Sequence, residues 1–276
     1  MDFFRRSLCV SYYHIKRDFL TIKNLVIFLL LAVYTDACME QIREACVEYG
    51  EKATPMGFIF LLNDDWFHIL FLMGFLMLIC KAPFREKSFS YISYRSGMAA
   101  WEMGSMCYIF LVSAVYTIFL VLLGILGLHG NVQFTLEWGG IWKTISLNDA
   151  VGQSFSINPF IIGHCAPKAA FWMSILLEWL CLSWLGMLIY LMNALFRKGS
   201  GLIAAGLLIF ADIMIYNDGR PWMYGYSPVT MSHIGVYFRE NIRNGVVLSH
   251  ALRFYIGGIA LMMVCMLLKR ERKEET

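Results

Sequence analysis

Charge is what this chain has least of: of its 276 residues only 16% are Asp, Glu, Lys or Arg and 59% are hydrophobic. An average soluble domain carries roughly 25% charged residues, so lipid rather than water is the expected solvent for most of this surface. No Pro-, Gly- or Ser-rich linker divides the chain, which predicts one domain over residues 1–276. Nucleotide-binding chemistry is missing too. There is no GxxxxGK[ST] loop to cradle phosphates, and neither GxSxG nor HExxH occurs. His164 and Cys165 are adjacent, and adjacent side chains point apart more often than they pair, so no catalytic set is assigned. Without CxxC or CxxH spacing, no metal and no directly bound cofactor is expected. The first apolar run is not followed by a small-residue cleavage pattern, which argues against a cleaved signal peptide. The eight cysteines read first as small hydrophobes. Cys38 and Cys46 would stand about 12 Å apart on a helix, too far for a disulfide unless that helix unwinds, so disulfides are open but not implied.

What is there is a series of apolar runs near residues 19–38, 64–80, 102–127, 168–196, 200–216 and 245–268. A helix crosses a bilayer with about 20 mainly apolar residues, so the expected fold is an all-α integral membrane protein with about six transmembrane helices. The runs at 64–80 and 200–216 are short and would cross with less tilt or by local thinning of the bilayer.

Orientation follows from the cations, because Lys and Arg are retained in short cytoplasmic segments. Fifteen of the 23 basic residues fall into four clusters. Arg5, Arg6, Lys16, Arg17 and Lys23 precede or enter the first run; Lys81, Arg85, Lys87 and Arg95 separate the second and third. Arg197 and Lys198 join the fourth and fifth, and Lys269, Arg270, Arg272 and Lys273 close the chain. The alternation predicts both termini in the cytoplasm.

Three segments outside the runs have their own character. Residues 3–18, FFRRSLCVSYYHIKRD, mix aromatic and basic side chains and read as a helix lying in the membrane interface; the alternative is a disordered basic tail. Residues 81–101, KAPFREKSFSYISYRSGMAAW, form a basic, aromatic loop broken at Pro83 and Gly97. It reads either as a surface helix offered to a cytoplasmic partner or as a plain loop that sets topology. Residues 217–244 contain WMYGYSPVTMSHIGVYF, too aromatic for a solvated loop and broken at Gly225 and Pro228, which predicts an outer re-entrant or interfacial hairpin before the last span.

Ionisable residues within the runs carry a second signal, since charge inside a membrane is costly. Glu178, Asp212, His250 and Arg253 all fall toward the outer half, where they would form one polar network with an acidic partner for Arg253; the alternative is that each reaches the outer interface singly. Asn63, Asp64 and Asp65 precede the second run and read as a helix cap, with a cation site as the alternative.

The basic segment before the first span, the YRSGMAAWEMGSM stretch entering the third, the six-span plan and the broken segment around Ser227 and Pro228 together resemble the permease subunits of bacterial ATP-binding cassette (ABC) transporters of the ABC-2 type. The resemblance implies an elbow helix over residues 1–18 and a coupling helix within 81–101, with Phe84, Arg85, Tyr91, Tyr94 and Arg95 as candidate coupling residues. It implies an outer gate near Tyr226, Ser227 and Pro228. The implied partners are a cytoplasmic ABC ATPase subunit, which uses ATP, a second permease subunit as homodimer or related heterodimer, and membrane lipid, but no nucleic acid. The location would be the bacterial plasma membrane, and the substrate a hydrophobic or amphipathic peptide, lipid or drug. Two other readings stand beside it: an intramembrane enzyme using Glu178, Asp212 or His250, and a non-transporting sensor or assembly partner.

Overall fold

A computed structural model of the chain describes residues 2–85, 89–147, 155–218, 221–238 and 247–274. Parts of the loop 81–101 and of the segment 217–244 lie outside these residues. The described residues are mainly helical, with one isolated bridge between Ala53 and Val132 and no strand.

Four helices are long and apolar enough to cross a membrane: α2 (Ile22–Tyr49), α6 (Met98–Leu126), α9 (Pro167–Leu195) and the apolar part of α11 (Leu248–Glu274). A fifth candidate is a broken pair, α3 (Gly57–Asn63) and α4 (Asp65–Ile79), which meet at 89°. The expected sixth span corresponds to α10 (Ser200–Asp218), an apolar helix of shorter length. Around these stand α1 (Asp2–His14), α5 (Phe89–Ser96), α7 (Gly139–Leu147) and α8 (Pro159–His164).

Local chemistry sets the boundaries. The Thr21 hydroxyl accepts the Asn24 N–H at the start of α2, and Gly50 ends that helix at φ 66°, a left-handed conformation that costs glycine little. Asp64 Oδ1 accepts the N–H groups of Trp66 and Phe67 at 3.1 and 3.2 Å, so the expected cap opens α4. Gly97, at φ 85°, turns the chain between α5 and α6.

The N-terminal segment is helical, and it is seated on the bundle. Ser7, Val10, Ser11 and His14 recur at helical spacing on one buried face of α1. That face packs on α6, where a Cβ at Gly104 would lie 2.6 Å from Ser7 O and Val10 Cβ. After a π-helical turn (Ile15–Phe19), buried Asp18 stands 3.0 Å from His14 Nδ1 and 3.8 Å from Lys81. His14 Nε2 reaches Ser105 Oγ of α6 at 3.2 Å.

Tertiary hydrogen bonds tie the two ends of the bundle separately. At the end carrying α1 and α5, Lys23 Nζ donates to Met77 O at 2.8 Å and Asn193 Nδ2 to Ala82 O at 2.9 Å. At the opposite end Arg43 donates to Gly127 O at 2.6 Å, and the Trp142 and Trp138 indoles donate to Thr54 O and Cys165 O, each at 3.0 Å. The same end holds three 3-10 segments, Pro221–Tyr226, Thr230–Ser232 and Ile234–Tyr237, of which residues 229–236 are buried.

Candidate functional site

The opposite end contains a buried polar cluster. His68 lies on the face of α4 that buries Phe71, Leu72 and Phe75; Glu178 shares a buried face of α9 with Cys181, Leu182 and Leu185; Asp212 shares one of α10 with Ala205 and Ile209. His233 comes from the chain between two 3-10 segments. All four are at most 2% exposed.

They form a continuous line. Glu178 Oε2 is 3.1 Å from His68 Nε2, His68 Nδ1 is 3.1 Å from His233 Nε2, and His233 Nε2 is 3.4 Å from Asp212 Oδ2. Hydroxyls hold the far oxygen of Asp212: Thr230 and Ser227 both donate to Oδ1. The Ser227 oxygen also accepts the Thr230 N–H at 3.1 Å, which fixes the turn that presents them. Ser232 Oγ stands 3.4 Å from His68 Nε2 and donates to Val229 O at 2.7 Å.

Asn63, at the break between α3 and α4, secures the same wall. Its carboxamide accepts the Gly235 N–H and donates to Ile59 O, each at 2.7 Å. Nearby, the Tyr237 hydroxyl donates to Met231 O at 2.6 Å; burial pushes this phenol up, so it remains a donor at neutral pH. A cavity of about 580 Å³ opens beside the cluster, lined by Asn63, Asp64, Asp65, Trp66 and Tyr216 among others. The Tyr216 ring packs on His233 with centroids 4.8 Å apart.

Of the four ionisable residues expected to cooperate, the structure joins Glu178 and Asp212 and leaves two apart. His250 is exposed, with Nε2 3.1 Å from Gly225 O. Arg253 donates to Ser249 O at 3.0 Å and has no acidic partner among the described residues, which corrects the expected ion pair. The link between Glu178 and Asp212 is instead made by His68 and His233, which the sequence did not single out. His68 lies three residues after Asp65, and that proximity was the available signal; His233 follows the Ser227–Pro228 break with no comparable signal beside it.

The candidate coupling residues also separate. Phe84 is buried, its ring against His14 and Tyr108 at centroid distances of 4.8 and 5.1 Å, so it packs the core and offers no docking surface. Arg85 binds Glu102 Oε1 at 2.8 Å and lies over the Phe89 ring, while Tyr190 donates to the other oxygen of Glu102. That leaves Tyr91, Tyr94 and Arg95 on α5. Both tyrosines are exposed, 66% and 91%, and Arg95 bonds the Tyr91 hydroxyl at 3.3 Å. Between α1 and α5 lies a cleft of about 390 Å³ lined by Arg5, Arg6, Tyr13, Tyr91 and Arg95. Among the candidate gate residues, Tyr226 is exposed, Ser227 holds Asp212, and the Pro228 carbonyl accepts from buried Tyr255.

No protein-family model, curated protein or solved structure matches the chain.

Proposed function

We propose that this chain is the membrane-spanning subunit of an ATP-driven ABC transporter of the ABC-2 type, exporting a hydrophobic or amphipathic substrate such as a peptide, lipid or drug. In this reading α2, the broken pair α3 and α4, α6, α9, α10 and α11 make six crossings of a bacterial plasma membrane, with both termini in the cytoplasm. The buried part of segment 217–244 re-enters the outer face, with Tyr226, Ser227 and Pro228 near the exit.

The observation that carries the reading is α5. It is eight residues long, has no buried residue, follows the end of α4 and leads straight into α6. Two exposed tyrosines and a cation on a short surface helix suit a protein partner, since aromatic and Arg side chains dominate binding energy at interfaces. The chain has no phosphate loop of its own, so a separate ATPase subunit would supply the hydrolysis. Closure of two such ATPases would reach the spans through α5 in each of two permease subunits, identical or related.

Purification of the tagged full chain from its native membranes tests the proposal. A P-loop ATPase should co-purify, and Arg95→Glu should weaken that association or uncouple ATP hydrolysis. Absence of any ATPase, or unchanged coupling in the variant, would count against it. An adjacent reading frame encoding a P-loop ATPase would support it independently.

The buried Glu178–His68–His233–Asp212 line supports a second reading, an intramembrane enzyme. That reading requires turnover without an ATPase and its loss on Glu178→Ala or Asp212→Ala.

A further inference from the structure

Proton bookkeeping in the buried cluster points beyond transport. With Glu178 ionised, His68 donates its Nε2–H to that carboxylate, and a neutral His68 then presents a bare lone pair at Nδ1. That lone pair faces His233 Nε2 at 3.1 Å, which also faces Asp212 Oδ2 at 3.4 Å. One nitrogen carries at most one hydrogen and cannot satisfy both neighbours well. If both imidazoles were protonated, two N–H groups would confront each other at 3.1 Å. With both imidazoles neutral, three electron-rich atoms therefore converge with a single proton among them.

The charges agree. Glu178 and Asp212 are two buried carboxylates whose ion-pair partners among the described residues are imidazoles alone. With neutral imidazoles the cluster carries two uncompensated negative charges, a costly state away from water. A divalent cation would neutralise it.

We propose that His68 Nδ1, His233 Nε2 and Asp212 Oδ2 bind a divalent transition-metal ion of the Zn²⁺ class. One ligand atom from each of His68, His233 and Asp212 lies within 4.8 Å of the other two. Metal–ligand distances of about 2.0–2.2 Å in a tetrahedral site imply ligand–ligand separations of about 3.3–3.6 Å, close to the two neighbouring distances here. Two imidazoles and one carboxylate suit Zn²⁺ better than Ca²⁺ or Mg²⁺, which prefer all-oxygen shells. The surroundings match much of what such a site needs, while His233 Nδ1 is buried without a hydrogen-bond partner. Glu178 accepts the other ring N–H of His68, and Thr230 and Ser227 hold the free oxygen of Asp212, leaving Oδ2 for the ion. The 580 Å³ cavity approaches the site at Tyr216, whose ring packs on His233. Three protein ligands leave a fourth position for a water or a substrate group. The inference does not depend on the transport reading.

The test uses the full chain in lipid nanodiscs, stripped with a chelator, titrated with Co²⁺ and then with Zn²⁺. The expected result is a visible absorption of four-coordinate Co²⁺ that saturates at about one ion per chain, lacks a thiolate charge-transfer band and is bleached by Zn²⁺. Asp212→Asn and His233→Gln should abolish it, and Glu178→Gln should weaken affinity by about 10–100-fold. A variant with the exposed His129, His164 and His250 replaced by Ala should retain the site. That variant keeps the proposal falsifiable if the cluster variants fail to elute as monodisperse protein. No saturable Co²⁺ spectrum in the parent chain, its loss in the exposed-histidine variant, or its survival in folded His233→Gln would each overturn the assignment.

Discussion

Asn63 and Gly235, far apart in the chain, are joined by a 2.7 Å hydrogen bond from the Gly235 N–H to the Asn63 side chain, across the break between α3 and α4. The bond fastens the 3-10 segments before α11 to the helix bundle, beside the His68–His233 contact. Asn63→Ala would leave a buried N–H without its acceptor, at a cost of about 1–3 kcal/mol. The expected outcome is a lower unfolding midpoint for the purified protein; a midpoint equal to that of the parent would show that the segment is anchored elsewhere.

Glu102 is buried and answered by two groups, Arg85 and Tyr190. Removing the cation should cost more than removing the hydroxyl. Breaking a buried ion pair typically costs about 3–5 kcal/mol, and the partial exposure of Arg85 puts Arg85→Ala toward the low end. Tyr190→Phe should cost about 1–3 kcal/mol. Because both residues act on one carboxylate, the double variant should be non-additive by at least about 0.5 kcal/mol. Strict additivity in a double-mutant cycle would refute the shared role.

Arg95 and Arg85 should behave differently in any coupling assay. Arg95 lies on a helix with no buried residue, so Arg95→Glu should change stability by no more than about 0.5 kcal/mol while weakening ATPase association. Arg85→Glu would place a second carboxylate against Glu102 and should reduce folded yield. Equal expression and equal loss of coupling for the two variants would contradict this division.

The seating of α1 depends on Gly104. An added methyl group would meet the backbone of α1 at Ser7 and the side chain of Val10, and overpacking of this kind costs about 1–3 kcal/mol. Gly104→Ala should loosen α1, seen as faster maleimide labelling of a cysteine substituted for buried Ser11 in a background without other cysteines. Unchanged labelling would mean that α1 and α6 separate without cost.

Membrane topology is open to the same chemistry. In the six-span reading, an impermeant maleimide applied to intact cells should label a cysteine at exposed His164 and spare one at Arg197. Labelling of both from outside would remove the alternation on which the reading rests.

The all-helical character and the positions of the apolar helices were legible in the sequence, because spanning length and apolar composition are local properties of a run of residues. The Asp64 cap was legible for the same reason. A short polar side chain before an apolar run can accept the free N–H groups of the helix it precedes, and that use needs only neighbours in sequence.

The residues of the buried cluster were only half legible. Glu178 and Asp212 stand out because each is an acid in an apolar helix, whereas His68 sits beside Asp64 and Asp65 and passes as part of a helix end. His233 sits in an aromatic loop, and nothing in its neighbours marks it as buried. His250 and Arg253 carried the same sequence signal as Glu178 but face outward on α11. Only packing chooses between the two outcomes.

By itself, then, the sequence determined that this is a helical chain with spanning-length apolar segments, basic residues gathered at alternate connections and polar residues at the helix ends. Tertiary structure decided that Phe84 packs the core, that Arg85 answers Glu102, and that α3 turns away from α4 at 89°. It alone brought His68, Glu178, Asp212 and His233 together from three helices and a loop. Helix formation depends on residues a few positions apart, whereas this cluster depends on contacts spanning up to 165 positions, between His68 and His233.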